Sequence, residues 1–221
     1  MSMNVIENRG EGVKDYNLER VIMLSDGVFA IAITLLTLEL RPPPRWDATF
    51  PGLWLAMWRP FLAYVVSFAV IAVYWLSHRR IFSRFARIDT PLTLLNFFFL
   101  ALVGLVPAAT NLIYVAQANR TALLLYIGLM GAIGVAAGLT FGYGAFLGGS
   151  IVKVQMPLRR RISIFLSLVF VPVLASAGSI VASEPGRQWL FAVMAAVWLA
   201  GRLIVRTIDR RGATQRNDPP G

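Results

Sequence analysis

The stretch VIMLSDGVFAIAITLLTLEL, residues 21–40, is apolar almost throughout but carries Ser25 and Asp26 near its start. A helix needs about 20 mostly apolar residues to cross the hydrocarbon core of a bilayer. The run after the acid, from Gly27 to Leu38, is too short to do so alone. If Ser25 and Asp26 capped the helix, it could not span. We therefore expect the helix to begin near Val21, with the carboxyl group of Asp26 about 7 Å inside the membrane.

Composition places the whole chain among membrane proteins. Apolar residues make up 57% of its 221 residues, charged residues only 14%, and the mean hydropathy is +0.65. A soluble domain of this length seldom exceeds about half apolar residues. The chain has no cysteine and one histidine, His78, which excludes disulfides and argues against a histidine-built metal centre, so no cofactor is expected.

Six apolar segments predict an all-α polytopic membrane protein with six transmembrane helices. They are separated by short turns rich in proline, glycine and charge. We predict a cytoplasmic N-terminal segment over 1–20, a transmembrane domain over 21–206 and a disordered tail over 207–221. The predicted helices cover 21–41, 57–80, 90–114, 120–144, 160–182 and 188–206.

The basic residues between these segments predict the orientation. If both termini lie on one side, that side collects sixteen of the 21 lysines and arginines, and the other side has five. Positive charge is enriched in cytoplasmic loops, so both termini are expected in the cytoplasm of a multi-pass protein of the cell membrane, in a bacterium the inner membrane.

Several polar residues are expected at the depth of Asp26. In the predicted topology the second helix ends, and the third begins, on the cytoplasmic side, so their polar groups lie in the same layer. This predicts a hydrogen-bonded cluster, although each group alone could be a solvated histidine, an interfacial tryptophan or a snorkelling arginine. The cluster would comprise Arg20, Ser25, Asp26, Trp75, His78 and Asn96.

Helical periodicity separates the acid from an apolar stripe on the same helix. At 100° per residue, Ile31, Leu35 and Leu38 fall within about 60° of one another, with Thr34 on the flank. Asp26 lies about 140° away from Ile31. If the stripe faced a central axis, Asp26 would point back into its own subunit as a brace. On periodicity alone, an ordinary helix-packing seam is the favoured interpretation of this stripe.

Three segments together resemble the first half of a known family. The pattern R20-x3-L24-S25-D26-G27 is similar to the first-helix signature Arg-x3-Phe-Ser-Asp of the transmembrane protein 175 family of potassium channels. The stretches 67–82 and 92–113 resemble the second and third helices of that family. Leu24 departs from the usual phenylalanine, which puts the packing around Ser25 and Asp26 in doubt.

The resemblance implies a homotetrameric potassium channel whose first helix lines one central pore. It implies narrow apolar layers at Ile31, Leu35 and Leu38, and ion selection by a threonine layer at Thr34. The permeant species would be potassium ions, with the lipid bilayer and further copies of the chain as partners. The braces between helices carry over to Arg20, Ser25 and Asp26, surrounded by Trp75, His78 and Asn96.

A proton-coupled transporter is the main alternative, with Asp26 and His78 relaying a proton. The lack of a detectable inverted repeat argues against it. An intramembrane enzyme has little basis, because the chain has no HExxH motif, no cysteine and no second histidine. No nucleic-acid partner is expected, since the basic loops are explained by orientation.

Residues 140–144, TFGYG, resemble the TVGYG filter of conventional potassium channels. That filter lies in a re-entrant loop, whereas here the motif ends a full-length helix on the cytoplasmic side. We therefore expect Gly142 and Gly144 to serve packing or a turn. Gly134, Gly138 and Gly142 form a small-xxx-small face that predicts close approach of another helix.

Overall fold

The computed structural model describes residues 3–41, 47–115, 119–148, 151–152 and 157–182, and over these its regular elements are helices. Within these described ranges, four apolar helical spans are long enough to cross a membrane: Tyr16–Leu38, Phe50–Phe82, Thr90–Ile113 and Arg120–Leu147. The predicted fifth segment is also helical, while the predicted sixth helix (188–206) and tail (207–221) lie outside the described residues. The elements are α1 (Met3–Leu38), α2 (Phe50–Phe82), α3 (Thr90–Gly104), α4 (Val106–Val115), α5 (Arg120–Gly142), a π-helix (Tyr143–Leu147) and α6 (Leu158–Ala182).

Helix α1 is longer than the apolar pattern predicts. It begins at Met3 instead of near Val21, and its membrane-compatible part begins at Tyr16. Ser25 and Asp26 therefore lie well inside a continuous helix, and they do not cap it. The polar residues before Tyr16 extend the helix because its hydrogen-bond ladder continues whether or not the side chains are apolar.

Prolines and caps set the limits of α2 and α3. The Thr49 side chain accepts a hydrogen bond of 3.1 Å from the Gly52 amide and so caps α2. Thr49 also donates to Asp47 through its amide and its hydroxyl, which holds the pKa of the Asp47 carboxyl below its usual value. The predicted third helix is broken at Leu105, because Pro107 has no amide hydrogen and its ring crowds the preceding turn.

One face of α1 enters the main apolar core. Phe29, Ala32 and Leu36 are all at most 2% exposed and belong to a buried cluster with residues of α2, α3 and α5. A second cluster lies at the end of the bundle that carries Arg79, Arg80, Arg84 and Arg87, which we call the basic end. It joins the first turns of the α1 span to the α2–α3 loop, through Leu18, Phe82, Phe85, Phe141 and Ile151.

Helices α5 and α6 pack closely through glycine, as the small-residue pattern predicts. A Cβ atom at Gly134 would clash with Pro172, and one at Gly138 would clash with Val169. At Gly142 the added atom would lie 2.9 Å from the Phe165 ring. The predicted packing role of this face is confirmed.

The TFGYG stretch is part of the same helical rod. Thr140 is buried and donates its hydroxyl hydrogen to the Ala136 carbonyl at 2.8 Å. The chain then continues directly into the π-helix, where Gly144 lies against the Phe85 ring. A re-entrant filter loop is excluded, and the packing role expected for Gly142 and Gly144 is confirmed.

Candidate functional site: an open apolar face and a buried polar network on the first helix

The stripe identified by periodicity is the open side of α1. Ile31, Leu35 and Leu38 are 60%, 40% and 63% exposed in the subunit, and Thr34 is exposed beside them. Leu36, the chain neighbour of Leu35, is only 1% exposed. A packing seam within the subunit is therefore excluded for the described part of the chain. Among the described residues, no other helix covers this face.

Thr34 presents an oxygen acceptor on this open face. Its hydroxyl donates a hydrogen bond of 2.9 Å to the Ile31 carbonyl one turn earlier. The hydrogen is thereby directed along the helix, and the lone pairs of the hydroxyl oxygen remain available. A cation approaching the open face would meet oxygen lone pairs, which is the polarity it needs.

On the buried side, three helices are joined by one chain of hydrogen bonds. The Asn96 amide nitrogen donates to Ser25 Oγ at 3.0 Å, and Ser25 donates to the Val21 carbonyl at 2.7 Å. His78 Nε2 lies 2.9 Å from Asn96 Oδ1, and because an amide oxygen only accepts, Nε2 is the donor. Ser25, His78 and Asn96 are all at most 3% exposed. The network ties α1 to α2 and α3.

Asp26 belongs to a separate, neighbouring contact. Its Oδ1 accepts a hydrogen bond of 2.8 Å from the indole Nε1 of Trp75. The guanidinium of Arg79 lies 4.9 Å from the centre of the Trp75 ring, in a cation–π contact on the same helix. The carboxylate is half-buried and faces α2 rather than the open face. The polar residues expected in one cluster thus form two neighbouring sets of contacts. One set joins Ser25, Asn96 and His78, and the other joins Asp26 to Trp75.

Aromatic rings enclose His78. The imidazole stacks on Phe82 with ring centres 4.2 Å apart, and on Phe99 at 5.6 Å. Phe29 of α1 meets its edge at 5.7 Å. Within the described residues, His78 Nδ1 is buried without a hydrogen-bond partner. Such surroundings fit a neutral imidazole that fixes the helices, because a second N–H would have no acceptor there.

Arg20 does not join either set of contacts, which corrects the expected cluster. Its guanidinium lies 5.6 Å from the centre of the Tyr16 ring, one turn earlier on α1, and the side chain is exposed. Positions 20 and 24 share the open face of α1, whereas Ser25 points into the bundle, so the arginine starts on the wrong side of the helix to reach it.

At the other end of α1, a side-chain hydrogen bond connects Glu39 to α4, and the sequence analysis did not predict it. The Asn111 side-chain amide of α4 donates to a carboxylate oxygen of Glu39, just beyond the end of α1. Nearby, Thr110 donates to Ser67 at 2.8 Å, and Ser67 lies 3.0 Å from the Tyr126 hydroxyl. The only signal in the sequence is polar residues in otherwise apolar segments, which indicates buried partners without identifying them.

Comparison with known proteins places this arrangement in a family. A family model described as "Endosomal/lysosomal potassium channel TMEM175" matches residues 20–107, a stretch that contains the open face of α1 and the polar contacts of Ser25, Asp26, Trp75, His78 and Asn96. The fold is similar to the crystal structure of a lysosomal potassium-selective channel TMEM175 homolog from Chamaesiphon minutus, with a TM-score of 0.68 and 30% identity. That alignment covers 86% of this chain and 98% of the other. The chain belongs to the TMEM175 family.

Curated relatives match part of the chain. A potassium channel of Streptomyces collinus is 47% identical over 98 residues, which are 42% of this chain and 46% of that protein. A potassium channel of Chamaesiphon minutus is 41% identical over 122 residues, 52% of this chain and 60% of that one. The Bos taurus protein named endosomal/lysosomal proton channel TMEM175 is 39% identical over 100 residues, 41% of this chain and 21% of its own length. The chain thus spans about half the length of the bacterial relatives it matches. The family is one of ion channels, not enzymes.

Proposed function

We propose that the protein is a cation channel that favours potassium, formed by four copies of the chain around one central pore. Each subunit contributes α1 to the pore wall. In this arrangement six helices per subunit cross the membrane, both termini lie in the cytoplasm, and the basic end faces the cytoplasm. The protein lies in the cell membrane, which in a bacterium is the inner membrane. Membership in TMEM175 and the names of its bacterial relatives support the proposal.

The observation that carries the proposal is the open face of α1. Ile31, Leu35 and Leu38 are exposed, whereas the opposite face of the same helix is packed into the subunit core. Lipid contact alone would not call for a polar Thr34 hydroxyl within this apolar stripe. Four α1 helices meeting at an axis would bury the leucines and isoleucines against their own copies and bring four Thr34 oxygens together.

Such rings supply a gate by excluding water. An ion cannot leave its hydration shell in a dry constriction lined by branched apolar side chains, so conduction requires the rings to widen. A displacement of α1 would widen all of them together because they lie on one helix. Thr34 oxygens, whose hydrogens are turned toward the Ile31 carbonyls, then replace part of the hydration of a passing potassium ion.

The test uses two neighbouring leucines on opposite faces of α1. Leu35→Ala should increase single-channel conductance or resting leak in planar bilayers, because it removes bulk from the proposed ring. Leu36→Ala removes the same atoms from the core and should destabilise the subunit by about 2–5 kcal/mol instead. If Leu35→Ala assembles and its currents are indistinguishable from wild type, this face does not form the gate.

The transporter alternative is not favoured. It would need a proton path between Asp26 and His78, yet Asp26 is bonded to Trp75, and His78 Nε2 is bonded to Asn96. The buried Nδ1 of His78 has no hydrogen-bond partner in the described part of the chain. Single-channel events far faster than carrier turnover would support the channel, and pH-driven uptake without such events would support a transporter.

A further inference from the structure

The open face of α1 continues past Ile31 toward the basic end. At 100° per residue, Leu24 and Gly27 lie within about 40° of Ile31 around the helix. Leu24 is 48% exposed, and Gly27 is exposed as well. A Cβ atom added at Gly27 would meet nothing within 4 Å. Both residues therefore belong to the surface that carries Ile31, Leu35 and Leu38.

This position changes the role expected for Leu24. As the residue before Ser25 and Asp26, it was expected to pack around them. In the structure, Ser25 is fully buried on one side of the helix while Leu24 looks outward on another. Among the described residues, Leu24 is thus exposed on the same side of α1 as Ile31.

The side chains along this face are unequal in size. A leucine at 24 and an isoleucine at 31 are separated by seven residues, or about 10 Å along the helix axis. Between them, at one turn from each, stands a glycine with no side chain. In a ring of helices, positions 24 and 31 would narrow the lumen and position 27 would widen it.

Resting on the proposed function, we propose that Gly27 lines a water-filled chamber between two apolar rings formed by Leu24 and Ile31. A monovalent cation waits there with its hydration shell before entering the dry rings at Ile31, Leu35 and Leu38. Compact ammonium ions that carry apolar groups, such as those bearing a trimethylammonium group, fit the same chamber, because its walls are apolar and its centre is wet.

The absence of native cysteine makes the chamber accessible to a direct test. Single variants Gly27→Cys and Leu24→Cys are reconstituted in planar bilayers, and a membrane-impermeant methanethiosulfonate carrying a trimethylammonium group is added on the cytoplasmic side. The cysteine thiolate attacks the reagent sulfur, a disulfide forms, and methanesulfinate leaves. Ala32→Cys is the matched control, because Ala32 is 2% exposed and faces the subunit core.

We expect the reagent to remove most of the current of Gly27→Cys and Leu24→Cys, reversibly with a reductant, and to leave Ala32→Cys unchanged. Gly27→Cys should fold normally because its side chain enters open space. It therefore decides the question even where Leu24→Cys fails to assemble. If Gly27→Cys conducts but its current is unaffected, the chamber is wrong while the channel proposal stands. If the wild type gives no single-channel events, both proposals fail.

Discussion

The indole Nε1 of Trp75 donates a hydrogen bond of 2.8 Å to Oδ1 of Asp26, joining two residues 49 positions apart. This contact directs the Asp26 carboxylate toward α2 and away from the open face of Ile31 and Leu35. A carboxylate placed this way links α1 to α2 and does not line the proposed lumen.

Asp26→Asn should therefore lower stability or assembly without changing ion preference. The amide keeps an oxygen acceptor for Trp75 but loses the charge, and hydrogen bonds to charged groups are stronger than neutral ones, so we expect a loss of about 1 kcal/mol. Thermal unfolding and size-exclusion chromatography in detergent measure the first effect. Reversal potentials in mixed potassium and sodium solutions measure the second.

Trp75→Phe is the control for the Asp26 contact because it removes the donor from the other side. If the contact acts as a brace, the double variant Asp26→Asn/Trp75→Phe should lose less than the sum of the two single changes. An assembled Asp26→Asn channel with a shifted reversal potential would instead place the carboxylate in the ion path.

Ser25→Ala should destabilise the subunit more than its size suggests. It removes the acceptor for the Asn96 amide, which is fully buried and would be left with an unsatisfied N–H, a loss of about 1–3 kcal/mol. The matched control is Thr140→Val, which also removes a buried hydroxyl but breaks only a bond within its own helix. Equal melting temperatures for the two variants in detergent would argue that the link from α1 to α3 contributes nothing.

The predicted depth of each polar residue in the membrane was enough to find much of this network, since Ser25, His78 and Asn96 are joined by hydrogen bonds. Depth could not divide the polar residues into two contacts, because that depends on which way each helix is rotated. It also misplaced Arg20, whose side chain reaches an aromatic ring on its own helix. A long flexible side chain can reach several partners at a similar depth, so its partner cannot be predicted without the packing of the helices.

Backbone features were predicted unevenly for a related reason. The lengths of the apolar segments located the membrane-compatible helices. They could not show that α1 begins at Met3, because polar residues can continue a helix outside the membrane. Although Pro107 is in the sequence, one continuous helix was expected over 90–114, and the structure interrupts that helix at Leu105. Proline is tolerated in many membrane helices, so its presence alone did not decide between a bend and a break.

Thr34→Ala should reduce the preference for potassium over sodium, while Thr34→Ser should retain it. Serine keeps the hydroxyl and can donate to the Ile31 carbonyl as threonine does, whereas alanine leaves no oxygen for a dehydrating ion. Both changes lie on the exposed face and should leave the fold intact. Permeability ratios from reversal potentials check this, and an unchanged ratio in Thr34→Ala would remove Thr34 from ion selection.

The contact between α5 and α6 gives a prediction that does not depend on conduction. Gly138→Ala should destabilise the subunit, because its Cβ would enter the space of Val169, a β-branched residue with little rotamer freedom. Overpacking of this kind costs about 1–3 kcal/mol, which exceeds the roughly 1 kcal/mol that alanine gains over glycine in a helix.

Gly128 on the same helix supplies the control for Gly138. It is exposed, and a Cβ added there meets nothing within 4 Å, so Gly128→Ala should be neutral or stabilising by up to about 1 kcal/mol. The two variants carry the same chemical change in one helix, which cancels helix propensity from the comparison. A Gly138→Ala protein that melts in detergent at or above the temperature of Gly128→Ala would mean that α6 does not approach α5 as closely as the glycine face requires.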